Sequence, residues 1–369
     1  MAKHIYIHIP FCARKCAYCD FYSIADHRHV DEFFDALKKE IADVRIVPDI
    51  NPDKIDTVYF GGGTPSVPDP VLICDVLKLI KKRFSIGDDA EITIECNPAS
   101  VDHVKLCKYK EAGFNRISLG IQSLHDDTLK TLGRLHDGKG ALRAVDEARR
   151  AGFDNISADL MIGIPGQKKE DILEDAKILI GKGIRHISMY SLIIEEGTPF
   201  FDRYRHIEDH VDPDLERDMY HSLRDLLMEN GLEPYEISNC GVRSVHNMSY
   251  WQGMEYYAFG PGASGYLEGV RFSHPKSVAA YIKDPFHTVT DEVITGEEKM
   301  KEYAMLMLRT SEGPSSAEFK RRFGKDLHST FRKQIETLED QGLIDSDDKG
   351  FRLTKKGLDL ANLAFEEFI

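Results

Sequence analysis

FCARKCAYCDF, residues 11–21, spaces Cys12, Cys16 and Cys19 as C-x3-C-x2-C. Residues 3–9, directly before it, are rich in β-branched and aromatic side chains and read as a strand, so the three thiols lie on the loop at a strand's C-terminal end. Soft thiolates select zinc or an iron-sulfur cluster. A structural zinc needs a fourth protein ligand, for which His8, His27 and His29 are the nearby candidates, whereas a cluster on three thiolates keeps one iron open to a ligand. The compact loop suits the open site, with zinc as the alternative. The other cysteines, Cys74, Cys96, Cys107 and Cys240, stand singly in apolar or turn segments and read as buried thiols.

Moving outward, strand patterns at 3–9, 57–60, 91–95, 116–119, 155–161 and 185–191 alternate with helix patterns at 30–45, 70–83, 101–111, 138–150 and 169–181. Such alternation predicts an α/β fold with a parallel sheet, because crossover helices return the chain to the same edge. An open doubly wound sheet and a barrel both satisfy it. Polar or glycine-rich residues follow nearly every strand: the cysteine loop, GGGTP at 61–65, Glu95, Gln122 and Asp159. Those ends converge on one mouth only in a barrel, so a partial (β/α)6 TIM-like barrel is expected. The expected division is 1–230 for the barrel core, 231–296 for an accessory segment with the only tryptophan, Trp251, and 297–369 for a winged-helix-like domain of helices and a hairpin at GLIDSDDKGFRLTKKG.

Composition excludes several classes. The 369 residues carry a net charge of −14, which repels nucleic acid, and no apolar run reaches the ~18 residues of a membrane span. The winged-helix-like segment has 13 basic against 15 acidic residues, so it lacks the basic face of a DNA reader; a zinc-stabilised regulator is disfavoured on the same ground. MAKHIYIHIPFC does not have the texture of a secretory signal, and a cytoplasmic location is expected.

The cysteine motif with Tyr18 before the third cysteine, together with GGGTP, resembles the radical S-adenosylmethionine (SAM) superfamily. YIHIPFC, YCDF, VYFGGGTPS, IECNP, RISLGIQS and DLMIGIPGQ extend the resemblance, across most of the first 200 residues, to its coproporphyrinogen III oxidase-like branch. It implies a [4Fe-4S] cluster on Cys12, Cys16 and Cys19 whose open iron binds SAM, the reductive cleavage of which yields methionine and a deoxyadenosyl radical. It further implies Tyr6, Gly62, Gly63, Thr64, Glu95, Gln122, Arg134 and Asp159 as SAM contacts. Taken singly, the glycines also fit a tight turn, Glu95 and Asp159 fit helix caps, and Arg134 fits a solvated helix-end charge.

Within the branch, oxygen-independent oxidases carry a further cysteine two residues after the third; this chain has Phe21 there and is similar to the heme chaperone group. HNMSYW, residues 246–251, resembles that group's H-N-x-x-Y-W motif and implies a heme site at His246, Tyr250 and Trp251, with GMEYYAFGPGASGY at 253–266 expected as a loop near the mouth. Two functions follow from the resemblance. One is heme delivery to an acceptor protein, a respiratory membrane protein among the options; the other is a coproporphyrinogen dehydrogenase that oxidatively decarboxylates two propionates in porphyrin biosynthesis.

Overall fold

The computed structural model describes residues 3–44 and 54–369. Six strands, β1 (His4–Ile9), β2 (Ile55–Gly62), β3 (Ile86–Cys96), β4 (Arg116–Gln122), β5 (Asn155–Ile162) and β6 (His186–Ser191), pair in sequence order and in parallel. Helices Val30–Asp43, Pro70–Arg83, His103–Ala112, Gly138–Arg150 and Lys169–Gly181 return the chain between them. The expected helices hold, except that the first ends at Asp43, its expected end at 45 lying outside the described residues, and the start at 101 moves to His103, where Asp102 accepts from the Lys105 amide as N-cap. A short helix, Asp126–Leu132, was not anticipated; seven residues are too few for a periodic signal.

The accessory segment does more than form the expected mouth loop, of which Gly260 and Gly262 pack against His8 and Tyr22 at the strand ends. It supplies β7 (Asn239–Gly241), antiparallel to β6, and β8 (Tyr256–Phe259), parallel to β1; β9 (Ser264–Leu267), β10 (Val270–Ser273) and β11 (Val289–Val293) extend the sheet beyond β8. Aromatic, β-prone Tyr256–Phe259 fits a strand. Gly260 follows with φ +98°, and a Cβ there would meet the His8 carbonyl oxygen at 2.5 Å, so glycine ends the strand. The 11 strands are an open arc rather than a hydrogen-bonded ring, hence a partial barrel.

The two faces of the arc differ in kind. Ile5, Ile7 and Ile9, Val58 and Phe60, Ile92 and Ile94, Ile117 and Leu119, Ile156, Ala158 and Leu160, and Ile187 and Met189 point outward and join the main apolar core under the helices. The alternate residues, including His4, Tyr6, His8, Thr57, Tyr59, Glu91, Thr93, Glu95, Arg116, Ser118, Ser157, Asp159, His186 and Ser188, line the concave interior. Parallel strands buried on both sides ordinarily read as continuous apolar runs. Here period-2 alternation builds a polar chamber, because successive side chains face opposite sides of the sheet.

The C-terminal region has its own apolar core, from Met300 to Phe368. Helices Gly296–Met307 and Ser316–Phe323 precede the hairpin of β12 (Ile344–Asp347) and β13 (Gly350–Leu353). The single helix expected over 327–341 is broken at Phe331, whose ring packs in the core against Phe319 at 5.6 Å and Phe368 at 5.3 Å. The final helix is likewise split, at Leu360. Among the described residues no helix is long and apolar enough to cross a membrane.

Candidate functional site: a mouth with open donors and a sealed floor

At the mouth, the cysteine loop is closed on itself and sewn to the loop after β2. Ile24 N–H donates to the Pro10 carbonyl (2.8 Å) and Cys12 N–H to that of Ile24 (2.9 Å); Gly63 N–H reaches Ile9 O and Thr64 N–H reaches Phe11 O, both at 2.8 Å. A Cβ on Gly63 would sit 2.8 Å from the Pro10 carbonyl carbon, and one on Gly62, at φ +109°, would strike the His8 ring. Packing of one loop on the other therefore requires glycine at both positions.

The thiols share this loop but not a closed metal cage. Cys12 Sγ lies 3.4 Å from Thr64 Oγ1, and Arg134 Nη1 donates to Cys16 Sγ at 3.6 Å. Burial, and then the neighbouring Cys16 and Cys12, push the Cys19 thiol up. The histidines that could complete a zinc site are committed or remote. His8 Nε2–H donates to Tyr22 O (2.8 Å), which leaves Nδ1 to accept from Tyr6 OH (3.1 Å); burial holds this imidazole neutral, at about 4. His27 Nε2 bonds the Cys12 carbonyl (3.0 Å), and exposed His29 faces Glu32. Among the described residues no group of three or more His, Cys, Asp and Glu side chains is assembled to hold a metal ion. Three thiols without a fourth protein donor fit a cluster with an open iron better than a structural zinc.

Gly62, Gly63, Thr64, Glu95, Gln122 and Arg134, named for SAM, lie at the same end, and Tyr6 and Asp159 lie mid-strand behind them, Tyr6 stacking also on the His246 ring at 6.5 Å. Glu95 accepts from Tyr59 OH (2.7 Å) and Gly62 N–H (3.3 Å), and burial, aided by the Asp159 charge, raises it to about 7. Asp159 accepts from Ser118 Oγ (3.4 Å) and is raised by burial. Arg134 donates to Gly120 O at 2.5 Å and to Tyr18 OH at 3.5 Å. Gln122 has φ +68°, and its buried Oε1 has no partner. A strained residue with an unsatisfied acceptor beside two carboxylates suits a polar ligand that donates hydrogen bonds. Tyr59 and Ser118 belong to this chamber and escaped the sequence reading, as did the place in it of His8, read there only as a zinc candidate; the alternation within each strand was the signal for them.

HNMSYW lies at the other end of the strands. Its helix, Val245–Trp251, seals the N-terminal side of the arc. Glu91 accepts from Ser244 Oγ (3.4 Å) and from the Val245 and His246 amides (both 3.1 Å), with Arg116 Nε 3.9 Å away. His246 is 1% exposed and stacks on Tyr59 at 4.8 Å. Its Nδ1 bonds Thr57 Oγ1 (2.7 Å), which also meets His4 Nδ1 (2.9 Å), and its Nε2 bonds Tyr250 OH (2.8 Å). Burial, with the His4 and Arg116 charges, drives this imidazole well below its usual range. Trp251 faces away, stacked under the Arg309 guanidinium at 4.3 Å. In this arrangement both ring nitrogens of His246 are hydrogen-bonded and the ring is enclosed, while the tryptophan lies at the joint with the C-terminal domain.

The Radical SAM superfamily pattern matches residues 6–179, and that of the HemN C-terminal domain matches 294–360. The heme chaperone HemW of Lactococcus lactis is 33% identical over 99% of this chain and 96% of its own; that of Bacillus subtilis is 34% identical over 100% and 99%. The chain belongs to the HemW family of radical SAM proteins. The mouse radical S-adenosyl methionine domain-containing protein 1, mitochondrial, is 32% identical over 96% of the chain and 84% of its own length. The solved structure of Escherichia coli coproporphyrinogen III oxidase, HemN, shares the fold of this HemW family member, with TM-score 0.83 at 20% identity over 99% of this chain and 89% of that one. The radical SAM family implies a [4Fe-4S] cluster and SAM.

Proposed function

We propose that this protein is a cytoplasmic heme chaperone that binds heme and a SAM-ligated [4Fe-4S] cluster and delivers heme to an acceptor protein. The observation that carries this reading is that full-length relatives at 33–34% identity are named heme chaperones, while the likeness to the oxidase, at 20% identity, is one of fold. Phe21, 70% exposed at the mouth, supports it, since the decarboxylating branch carries cysteine at that place.

In this reading Cys12, Cys16 and Cys19 hold the cluster, which supplies one-electron chemistry at the mouth when bound. Gly62, Gly63 and Thr64 present backbone close to the ligand, Arg134 offers its planar fork to a carboxylate, and Glu95 and Asp159 accept from ribose hydroxyls. Tyr6 and Gln122 complete the polar wall. Residues 1–230 serve as the cofactor-binding barrel, 231–296 as its edge and floor, and 297–369 as an interaction domain.

The test pairs two assays on anaerobically reconstituted protein. Hemin should give a Soret band, and the heme should pass to an apo-acceptor on mixing. Coproporphyrinogen III with SAM and a reductant should yield no protoporphyrinogen; its formation would replace this reading with the dehydrogenase.

A further inference from the structure

A basic depression lies beside the cysteine loop of a chain whose net charge is −14. Its volume is about 470 Å³, and Arg14, Lys15, Lys130 and Arg134 line it together with Ala17 and Pro199, without a carboxylate in its wall. We propose that this depression is the docking surface for a small acidic one-electron carrier protein, which reduces a cluster held by Cys12, Cys16 and Cys19. The proposal rests on the cluster reading above and is independent of the heme reading.

Three observations carry it. First, the charges are placed rather than scattered. Arg14 Nη2 donates to the carbonyls of Gly133 (2.5 Å) and Arg134 (3.3 Å), just past the helix Asp126–Leu132. That uses one nitrogen of the guanidinium, and Nε and Nη1 remain as donors for a carboxylate. Lys15 is exposed and directly precedes Cys16. Lys130 meets Asp127 at 3.0 Å, but both side chains are more than three-quarters exposed, and such a pair is readily exchanged for another. Asp20 on the loop, and Glu195 and Glu196 before Pro199, lie outside the lining.

Second, the wall of the depression is the cysteine loop itself. Arg134 donates to Cys16 Sγ at 3.6 Å, and the Ala17 carbonyl accepts from Phe200 N–H at 3.0 Å, which ties the loop to the segment that carries Pro199. A carrier seated there is separated from the sulfurs by the thickness of one loop. Third, the lining is of the right kind for a redox encounter: a small patch of one charge around short apolar side chains. Contacts between electron-transfer partners bury less than ~1,200 Å² and depend on steering more than on area. With a net charge of −14 the chain repels an acidic carrier over most of its surface, so charge complementarity directs it to this patch. The step is a single electron transfer: the carrier's reduced centre gives up one electron and the cluster takes it up, with no bond made or broken.

The experiment uses the full chain, anaerobically reconstituted, with an acidic flavodoxin in its hydroquinone form as the probe. Binding is read by interferometry and cluster reduction by bleaching of the visible absorbance, at low and high salt. The proteins compared are the wild type, Lys15→Glu, Lys130→Glu, the double variant, and Lys349→Glu on the hairpin of β12 and β13. At low salt the double variant should bind flavodoxin about tenfold more weakly and be reduced by it about tenfold more slowly, each single variant about threefold, and added salt should shrink these differences. Photoreduction by uncharged 5-deazariboflavin should be the same in every variant, and Lys349→Glu should match the wild type throughout. Wild-type binding and reduction in the double variant, or a wild-type rate that does not respond to salt, overturns the surface. Equal slowing with 5-deazariboflavin overturns it too, since the lysines would then shape the cluster loop rather than dock a carrier. A wild-type chain that takes up no [4Fe-4S] cluster removes the cluster reading, and this surface with it.

Discussion

The cysteine loop and the HNMSYW helix cap opposite ends of the same six strands, roughly 16 Å apart along a strand, and they differ in whether their donors are free. At the mouth the sulfurs meet the Thr64 hydroxyl, the Arg134 guanidinium and the Phe21 backbone amide, and the loop's own backbone hydrogen bonds hold its shape. At the floor every polar atom of His246 is matched to a partner, and Glu91 gathers three donors at the start of the helix. The lesson is that a motif's residue types state which chemistry is available, and the strand end on which it lands decides whether that chemistry is exposed or consumed in packing.

The contrast can be broken most severely at the cysteines. Cys16→Ala should lose essentially all bound iron and SAM while keeping the wild-type circular dichroism, because the outward-facing core does not depend on the loop. Global unfolding of that variant would show that the mouth is structural as well. At the floor the expected result is the reverse: Glu91→Ala should retain the iron but lose about 3–5 kcal/mol in denaturant unfolding, since it strands buried Arg116 and three donors. A loss below about 1 kcal/mol would mean that the floor is not a sealed polar joint.

The pH dependence sharpens the comparison further. Glu95, raised to about 7 by burial, favours the protonated fold, so its contribution is fully present below its ordinary value near 4.5 and is lost as pH rises through about 7. The thermal midpoint of the apo protein should therefore fall more between pH 5 and pH 8 in the wild type than in Glu95→Gln. Equal slopes would place Glu95 in contact with bulk water. The smallest effect belongs to the joint with the C-terminal domain: Arg309→Ala removes the guanidinium stacked on Trp251 and should cost about 1 kcal/mol, read as a shift in the unfolding midpoint.

How much was legible follows from the range of each signal. The parallel order of β1 to β6, the crossover helices and the cysteine loop are local patterns, carried by period and spacing within about 15 residues. The polar chamber was also written locally, in the alternation of HIYIHI and EITIEC, but its meaning required knowing that the sheet curves so that one face becomes an interior. The strand within 253–266 was not legible, because pairing β8 with β1 joins residues some 250 positions apart through contacts that leave no local trace.

By itself the sequence determined the donor types, their spacing and the side of the strands on which the thiols emerge, because those depend on neighbours along the chain. Only the tertiary structure decided that His246 closes the floor with both nitrogens bonded. Burial and hydrogen-bond partnership are set by residues distant in sequence, as Thr57 is for His246, 189 positions away.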